Sequence, residues 1–229
     1  MIHAGGVVNA ARLLPQAPRA AGSVASVFGL HFSPPEQKQA VVQLNGITAP
    51  AFASTDTQIN FQVPRELAGL AQATATVTVG VATSSPVTVP LASSAPGLFS
   101  TSGSGSGPGS ILVSNLGVLA APTGAFPGSR PVNRGELISI YATGLGAVAN
   151  PPPTGVAGSG SPLSATEAAP TVFIGGVKAA VPFSGLAPGY AGFYQVNAIV
   201  QPGTPTGNPV PVVLTILEST SNTVTLAVQ

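Results

Sequence analysis

The sequence predicts an all-β protein with two β-sandwich domains in tandem, and three observations support this. Short Val- and Thr-rich runs are interrupted by 28 glycines and 24 prolines in 229 residues, a pattern typical of sandwiches and barrels. Hydrophobic residues make up 44% of the chain and charged residues 6%, so the composition is that of a folded protein and not of a disordered one. Four segments also recur in the same order in both halves of the chain.

The first repeated segment is a predicted strand. GSVASVFGLHFSPP at 22–35 matches GELISIYATGLGAVANPPP at 135–153, and both alternate apolar positions with a period of two. Such alternation indicates a half-buried strand. Tyr141 stands where Phe28 stands in the first copy, so we interpret Tyr141 as a core residue.

Two further repeats are predicted hairpins. VQLNGITAPAF at 42–52 matches VFIGGVKAAVPF at 172–183, and each turns at an Asn-Gly or Gly-Gly dipeptide that supplies the positive φ of a tight hairpin. ATVTVGVATSSPVTVPLA at 75–92 matches VVLTILESTSNTVTLAV at 212–228. Each reads as a strand, a polar turn and a second strand.

The remaining repeat contains no reactive group. QINFQVP at 58–64 returns as YQVNAIVQP at 194–202. A duplicated motif without acid, base or thiol is typical of a structural strand. We expect the amides of the repeated Gln-[Ile/Val]-Asn, at 58–60 and 195–197, to bond the backbone at a strand edge or corner.

These repeats predict a first domain at 1–98 and a second at 110–229. The segment between them, 99–109, is rich in Gly and Ser, which is typical of a flexible linker. The alternative is a Gly-rich loop ordered by its neighbours. The best helix candidate is PRELAGLA at 64–71, with at most one or two turns.

Composition excludes several partners. The seven Lys and Arg residues are scattered and the net charge is +1, so we expect no nucleic-acid partner. No stretch of about 18 apolar residues occurs, so we expect no membrane insertion. A signal for export, if there is one, has been removed or lies upstream. The near-zero net charge favours association of the protein with copies of itself.

The sequence offers little for catalysis, and we predict no enzyme activity, no cofactor and no metal site. The chain has no Cys and two His; His3 lies at the terminus and His31 has no counterpart in the second copy. No G-x-S-x-G elbow is present. The carboxylates are far apart in sequence and unrepeated, so a catalytic pair would depend on folding: Glu36, Asp56, Glu66, Glu136, Glu167 and Glu218.

One loop is a candidate ligand site. The chain has no Trp and three Tyr, and the segment APGYAGFY places Tyr190 and Phe193 close together. Exposed aromatic side chains can form a platform for carbohydrate. The alternative is a loop that only covers the sandwich edge.

Several segments together resemble a known family: VVNAARLLP…GSVASVFG, VQLNGITAPAF, QINFQVP, ISIYATGLG, FSGLAPGYAGFYQVN and SNTVTLAVQ. They are similar to the uncharacterised C-terminal domain of secreted proteins of Solibacter-type acidobacteria, over roughly residues 7–229. The resemblance implies an extracellular setting and a binding or structural role, with no catalytic residues to carry over. Parts of the chain also resemble Ig-like folds of the IPT/TIG type, which refines the fold prediction to two tandem Ig-like β-sandwich domains.

The leading functional hypothesis is a secreted structural module that binds protein, above all copies of itself, in a pilus-like filament joined by β-strand complementation. The family's large upstream domain is not in this sequence, so the chain is either a fragment or a complete tandem module; the latter favours a self-assembling subunit. The alternative is a carbohydrate-binding or adhesive module that tethers a larger secreted protein to polysaccharide or a cell surface. A serine hydrolase with a remote acid stays open as a third.

A filament of this kind needs a donor strand. The best candidate lies in GGVVNAARLLP at 5–15, whose counterpart in the second copy is SILVSNLGVLAAP at 110–122. The alternative is that it forms the first strand of its own domain. The candidate donor residues are Val7, Val8, Asn9, Ala10, Leu13 and Leu14.

Overall fold

A computed structural model describes residues 1–32 and 40–229; Glu36 and the proline pair that closes the first repeat lie outside these residues. The described chain is all-β and forms two tandem Ig-like β-sandwich domains, which confirms the fold prediction. The predicted helix at 64–71 is a single 3₁₀ turn, Arg65–Leu67. Within the described ranges, no helix has the length and apolar character needed to cross a membrane.

The first domain packs two sheets face to face. One has the order β1-β3-β7-β6, and the other has the order β2-β10-β8-β4-β5 with β9 beside β8. Apolar side chains of both sheets meet in one core, which includes the fully buried Val27, Ile59 and Phe61. The strands are β1 (Ile2–Asn9), β2 (Arg19–Ala20), β3 (Val24–Gly29), β4 (Val41–Leu44), β5 (Ile47–Ala49), β6 (Ala51–Ser54), β7 (Gln58–Gln62), β8 (Gln72–Val79), β9 (Ala82–Thr83) and β10 (Val87–Ala92).

The second domain repeats this plan with a continuous strand in place of β5 and β6. The strands are β11 (Gly97–Leu98), β12 (Ile111–Val113), β13 (Val118–Leu119), β14 (Leu137–Thr143), β15 (Thr171–Ile174), β16 (Val177–Leu186), β17 (Tyr194–Ile199), β18 (Gly207–Ile216), β19 (Ser219–Thr220) and β20 (Val224–Val228). Their order is β13-β12-β14-β17-β16-β15-β18-β19, with β11 on β14 and β20 on β18. In the first domain Pro50 separates β5 from β6, whereas in the second domain Pro182 lies inside β16, at the shift of register between Ala180 and Phe183.

The central strands pair in the same register in both domains. Val27 pairs with Ile59 in the first domain, and Ile140 pairs with Val196 at the matching position of the second. The predicted hairpin turns are present as well, with positive φ at the Asn-Gly and Gly-Gly dipeptides. The four sequence repeats therefore correspond to four pieces of the same sheet framework.

The prediction that Tyr141 is a core residue is wrong. The side chains of β14 that point into the sandwich are small or aliphatic, among them Ile138 and Ile140. Tyr141 alternates with them and lies half-buried on the outer face. The buried tyrosine is instead Tyr194, whose hydroxyl donates a 2.5 Å hydrogen bond to the carbonyl of Gly146.

The two domains are joined by buried polar contacts. The Thr143 hydroxyl accepts the N–H of Val24 at 2.8 Å and donates to the carbonyl of Gly192 at 2.8 Å. The Gln62 side chain accepts the N–H of Gly155 at 2.6 Å. Because each contact is short and at least partly buried, the junction holds a defined geometry.

The Gly- and Ser-rich segment forms a closed loop. The Gly109 N–H donates to Thr225 O, and the Thr225 N–H donates to Gly107 O, both at 2.8 Å. Asn222 donates to Leu98 O at 2.9 Å and to Gly105 O at 2.7 Å, and it also accepts the Leu98 N–H at 2.8 Å. Leu98 thus belongs to the sheet of the second domain, and the domain limits at 98 and 110 stay a prediction.

Candidate functional site

Three aromatic side chains form a group on the surface of the second domain, here called the aromatic cluster: Phe99, Tyr190 and Phe193. The rings of Phe99 and Phe193 are stacked, with centroids 4.7 Å apart and planes at 18°. The Tyr190 ring is tilted by 53° against Phe193 at 5.8 Å. Tyr190 is 58% exposed, whereas Phe99 and Phe193 are half-buried, so the cluster presents the Tyr190 ring to solvent beside a partly covered stack.

The positions of Phe99 and Phe193 follow from strand pairing. Phe99 extends β11 and donates its N–H to Tyr141 O at 3.1 Å. Phe193 immediately precedes β17, and its neighbour Gly192 packs so closely against Val24 that an added Cβ would lie 3.0 Å from that side chain. The cluster therefore lies next to the junction between the domains.

The loop that carries Tyr190 is held by backbone hydrogen bonds. The Ala187 N–H donates to Phe193 O at 3.0 Å, and the Tyr190 N–H donates to Ala187 O at 3.2 Å. The Gly158 N–H donates to Tyr190 O at 3.1 Å. A ligand that binds a braced loop loses less free energy to ordering than one that binds a mobile loop.

Sequence reasoning identified Tyr190 and Phe193 but missed Phe99. Phe99 follows the last strand of the first copy in sequence, yet it contributes to the sheet of the second domain. The short apolar run Gly97–Phe99 after the repeat was the one sign in the sequence of a further strand. Periodicity does not show which strand this run pairs with.

An amide ladder continues the same face of the sheet. Gln195 Nε2 donates to Asn197 Oδ1 at 2.8 Å, and the Ser139 hydroxyl donates to the same oxygen at 3.1 Å. Among the described residues, Asn197 Nδ2 and Gln195 Oε1 have no hydrogen-bond partner. These atoms offer one donor and one acceptor beside the aromatic cluster.

The first domain has a matching amide ladder. Gln58 Nε2 and the Ser26 hydroxyl each donate to Asn60 Oδ1 at 2.7 Å. The prediction that these amides bond the backbone is therefore wrong in both domains. They bond other side chains, because the motif lies in mid-strand on the outer face, where backbone groups are already paired.

The candidate donor residues lie in and after the first strand of their own domain. In β1, Val7 and Val8 are buried and pair with β3. Asn9 is buried as well, and its side chain donates to Ala95 O at 2.8 Å. Ala10 donates its N–H to β3, Leu13 is half-buried, and Leu14 is 46% exposed. Pairing of these residues with another chain stays a prediction.

A cavity of about 680 Å³ lies between the domains. It is lined by apolar side chains, by Arg65 and by two carboxylates, Glu66 and Glu167. Nothing in the sequence indicated that these two carboxylates share a cavity. A hydrogen bond from its own backbone N–H, followed by one from the Thr154 hydroxyl, lowers the pKa of Glu66. A general acid needs a raised pKa, so Glu66 is poorly suited to that role.

The other histidine and carboxylate side chains considered lie outside this cavity. His31 is exposed in a loop. Arg130 binds Glu136 with two hydrogen bonds of 2.9 and 2.7 Å, and these bonds lower the pKa of Glu136 to about 2. In the part of the chain that the structure describes, no three His, Asp or Glu side chains lie close enough to hold a metal ion.

The fold and this surface define a class of protein, tandem Ig-like β-sandwiches with aromatic side chains at the domain junction. No family model and no curated protein matches the chain by sequence. A titin I9–I11 tandem is similar at 11% identity and a TM-score of 0.23, with 92% of this chain and 61% of that chain covered.

Two other solved structures are also similar over most of the chain. SGBP-B of the Bacteroides ovatus mixed-linkage glucan utilization locus, in complex with a mixed-linkage heptasaccharide, has 10% identity and a TM-score of 0.37, covering 95% of this chain and 46% of that one. The Ig1-2 module of the Drosophila receptor protein tyrosine phosphatase DLAR has 12% identity and a TM-score of 0.23, covering 93% and 94%. The chain thus spans less than two thirds of the titin and Bacteroides chains.

Proposed function

We propose that this protein is a non-enzymatic extracellular module that binds carbohydrate polymer through the aromatic cluster and the adjoining amide ladder. The observation that carries the proposal is the exposed and braced Tyr190 ring next to the Phe99–Phe193 stack. The extracellular setting rests on the family resemblance of the sequence. Such a module serves to tether a larger secreted protein to polymer or to a cell surface.

The chemistry of the surface suits a sugar ring. A pyranose has an apolar face of C–H groups and a rim of hydroxyls, and an aromatic ring offers a flat apolar surface with a polar edge. Tyr190 supplies the flat surface. Asn197 Nδ2 and Gln195 Oε1 supply a donor and an acceptor for hydroxyls. Ligand sites commonly combine apolar walls with a few placed polar groups in this way.

The proposal is tested by co-sedimentation with insoluble polysaccharides, including cellulose, chitin, mixed-linkage glucan and bacterial cell wall. We expect the wild-type protein to bind at least one of them, and Tyr190→Ala to bind it at least tenfold more weakly. Phe52→Ala is the matched control, because Phe52 is an exposed aromatic residue far from the cluster in sequence, on the first domain. Failure of every polysaccharide to bind, or equal binding by Tyr190→Ala, would refute the proposal.

A filament subunit is the second candidate function. The observation in its favour is that β1 lies at the edge of its sheet, with β3 as its one neighbour in the strand order. An edge strand can exchange with the same strand of another copy at little cost.

Engineered cysteines distinguish exchange from pairing within one chain. Val8 and Ser26 face each other across β1 and β3, and the chain has no native Cys. If β1 is exchanged, the Val8→Cys, Ser26→Cys protein forms disulfide-linked chains on a non-reducing gel. Disulfides within monomers only, together with electron micrographs free of fibres at high concentration, would rule out the filament.

A further inference from the structure

The outward side of one sheet in the second domain carries more aromatic side chains than the aromatic cluster. Phe99 lies opposite Tyr141, whose carbonyl accepts the Phe99 N–H at 3.1 Å, and Tyr141 pairs with Gln195 on the next strand. Directly opposed residues of an antiparallel sheet project to the same side. The register therefore sets two aromatic rings and an amide in one row across β11, β14 and β17.

The next row along the same strands ends in a further aromatic ring. Ser139 pairs with Asn197, and Asn197 pairs with Phe183 on β16. The Ser139 hydroxyl donates to Asn197 Oδ1 at 3.1 Å, so these side chains share the outward side. A Cβ added to Gly185 would lie 2.8 Å from Cζ of Phe183, so the ring extends over Gly185 toward the first row. The amide ladder thus lies between Tyr141 and Phe183.

These rows form one surface, here called the outer face: the outward side chains of β11, β14, β17 and the part of β16 from Phe183 on. Neighbouring strands are about 4.8 Å apart, so the outer face is about 14 Å wide from Phe99 to Phe183. Phe99, Tyr141 and Phe183 are half-buried, whereas the inward neighbour Ile140 is fully buried. Part of each ring lies in solvent, and no other segment that the structure describes closes over it.

The chain leaves and re-enters the described residues far from the outer face. The Phe32 N–H donates to Asp56 O, and Ala40 precedes the end of β4 that pairs with Thr78. Both points lie at the end of the first domain opposite Val24, which contacts the second domain. The length of β3 alone, about 17 Å, separates them from the junction. Seven residues fixed at both ends reach outward by only about 14 Å.

The outer face carries no charge. Within the described strands, its side chains are aromatic, aliphatic, amide or hydroxyl. The carboxylate just before β14, Glu136, is held by Arg130 through hydrogen bonds of 2.9 and 2.7 Å. Antiparallel sheets that face water carry polar side chains outward, so aromatic rings on this side mark an interaction surface. A partner that suits it is uncharged and presents both C–H groups and hydroxyls.

We propose that the outer face binds the flat surface of a neutral, insoluble polysaccharide in which neighbouring chains lie side by side. This inference rests on the proposed function and names its substrate class. The aromatic cluster, Tyr141 and Phe183 stack on sugar rings of adjacent chains. The amide atoms that the ladder leaves unpaired, Asn197 Nδ2 and Gln195 Oε1, bond the hydroxyls between those rings.

The shape of the outer face favours a polymer surface over a single soluble chain. Sites for small soluble ligands are concave and enclose most of the ligand. The outer face consists of four neighbouring strands, so it contacts each sugar ring on one side only. Contacts of this kind are individually weak, and binding becomes tight where several are made at once. A repeating flat surface supplies several contacts, whereas a short soluble chain does not.

Co-sedimentation with crystalline cellulose and chitin, beside titration with their soluble oligosaccharides, tests the substrate class. We expect binding to at least one insoluble polymer, unchanged between about 0.1 M and about 1 M sodium chloride, and binding of its oligosaccharide that is weaker by about a hundredfold or more. Phe183→Ala should weaken polymer binding about tenfold. Phe173→Ala is the matched control, because Phe173 is also half-buried but lies on β15, on the outer side of the opposite sheet.

A second variant keeps the test decisive if Phe183→Ala fails to fold. Asn197→Asp keeps the shape of the side chain and still accepts the hydrogen bonds from Gln195 and Ser139. It replaces the unpaired Nδ2 donor with a charged oxygen, and we expect polymer binding about tenfold weaker than wild type. Circular dichroism establishes that each variant is folded.

The outcomes distinguish this inference from the proposed function. Oligosaccharides that bind as tightly as the insoluble polymer overturn the flat surface and leave carbohydrate binding intact. The same holds if Tyr190→Ala loses binding while Phe183→Ala and Asn197→Asp keep it. Binding to no polysaccharide overturns both. A wild-type dimer that Phe183→Ala dissociates would show that the outer face joins two copies, and this result overturns the inference as well.

Discussion

The two domains share the central strand pairings of the sandwich, yet they differ in the connections between strands and in β11 and β13, which only the second domain adds among the described residues. In the second domain the connection from β14 to β15 is long and covers the edge of β16, and the loop after β16 carries Tyr190. The corresponding connections of the first domain are shorter in sequence. The comparison teaches that the framework is common to both copies, whereas the longer connections of the second copy supply Tyr190 and part of the junction.

A second difference concerns one buried position next to the last strand of each domain. Arg19 pairs with Leu91 in the first domain, and Val132 pairs with Val228 at the same place in the second. Both side chains are buried. Burial lowers the pKa of Arg19 to about 10, and its guanidinium donates to the carbonyl of Ala17. The same framework position thus accepts a charged or an apolar side chain.

The largest expected difference in stability is between substitutions at Gly144 and at its counterpart in the first domain, His31. Both have positive φ, +78° and 64°, but a Cβ on Gly144 would collide with the carbonyl oxygen of Ala95 at the junction. We expect Gly144→Ala to lower the free energy of unfolding by about 3 kcal/mol or more. His31→Ala should change it by less than about 0.5 kcal/mol. Urea denaturation measures both, and equal effects would show that the junction imposes no special constraint.

A smaller effect is expected at Asn222, whose counterpart by register is the exposed Ser85. Asn222→Ala removes the hydrogen bonds to both backbone groups of Leu98 and to Gly105. We expect a loss of about 2 kcal/mol and faster proteolysis within 99–109. Ser85→Ala is the control and should match wild type in both assays; an unchanged digestion rate for Asn222→Ala would contradict the anchoring role.

The ion pair between Arg130 and Glu136 has no equivalent in the first domain, where Ser23 stands in place of Glu136. This pair predicts that the stability of the protein depends on pH. The pKa of Glu136 falls from 4.5 to about 2 on folding, so its stabilisation is complete above about pH 4.5 and is lost as the pH falls toward 2. The pair is partly exposed, and we expect Glu136→Gln to cost only about 1 kcal/mol at pH 7. The difference from wild type should shrink below pH 4.5; a constant difference down to pH 2 would refute the assignment.

The smallest expected effects come from the amide ladders. Asn60→Ala and Asn197→Ala each remove an acceptor shared by a Gln and a Ser. We expect losses of about 1 kcal/mol for each, equal to within a few tenths. Thermal melts of both variants provide the comparison. A clearly larger loss in one domain would mean that the ladders are not equivalent.

Much of the framework was predictable because its signals are local. Asn-Gly and Gly-Gly dipeptides encode hairpin turns, and period-two alternation marks strands. The prediction for Tyr141 fails because it depends on the alignment with Phe28, which is itself only half-buried, whereas Ile138 and Ile140 carry the buried pattern of β14. Phe99 and the covered edge of β16 depend on pairing between distant segments, which no local pattern reports.

The closed Gly- and Ser-rich loop also matters to anyone who labels the protein. By composition 99–109 is the natural place to insert a fluorophore or an affinity tag. Its backbone is instead hydrogen-bonded to Thr225 and Asn222, so an insertion there would break the bonds that hold this segment against β20 of the second domain. The turn at Val81 is a better attachment point, since its side chain is almost entirely in solvent.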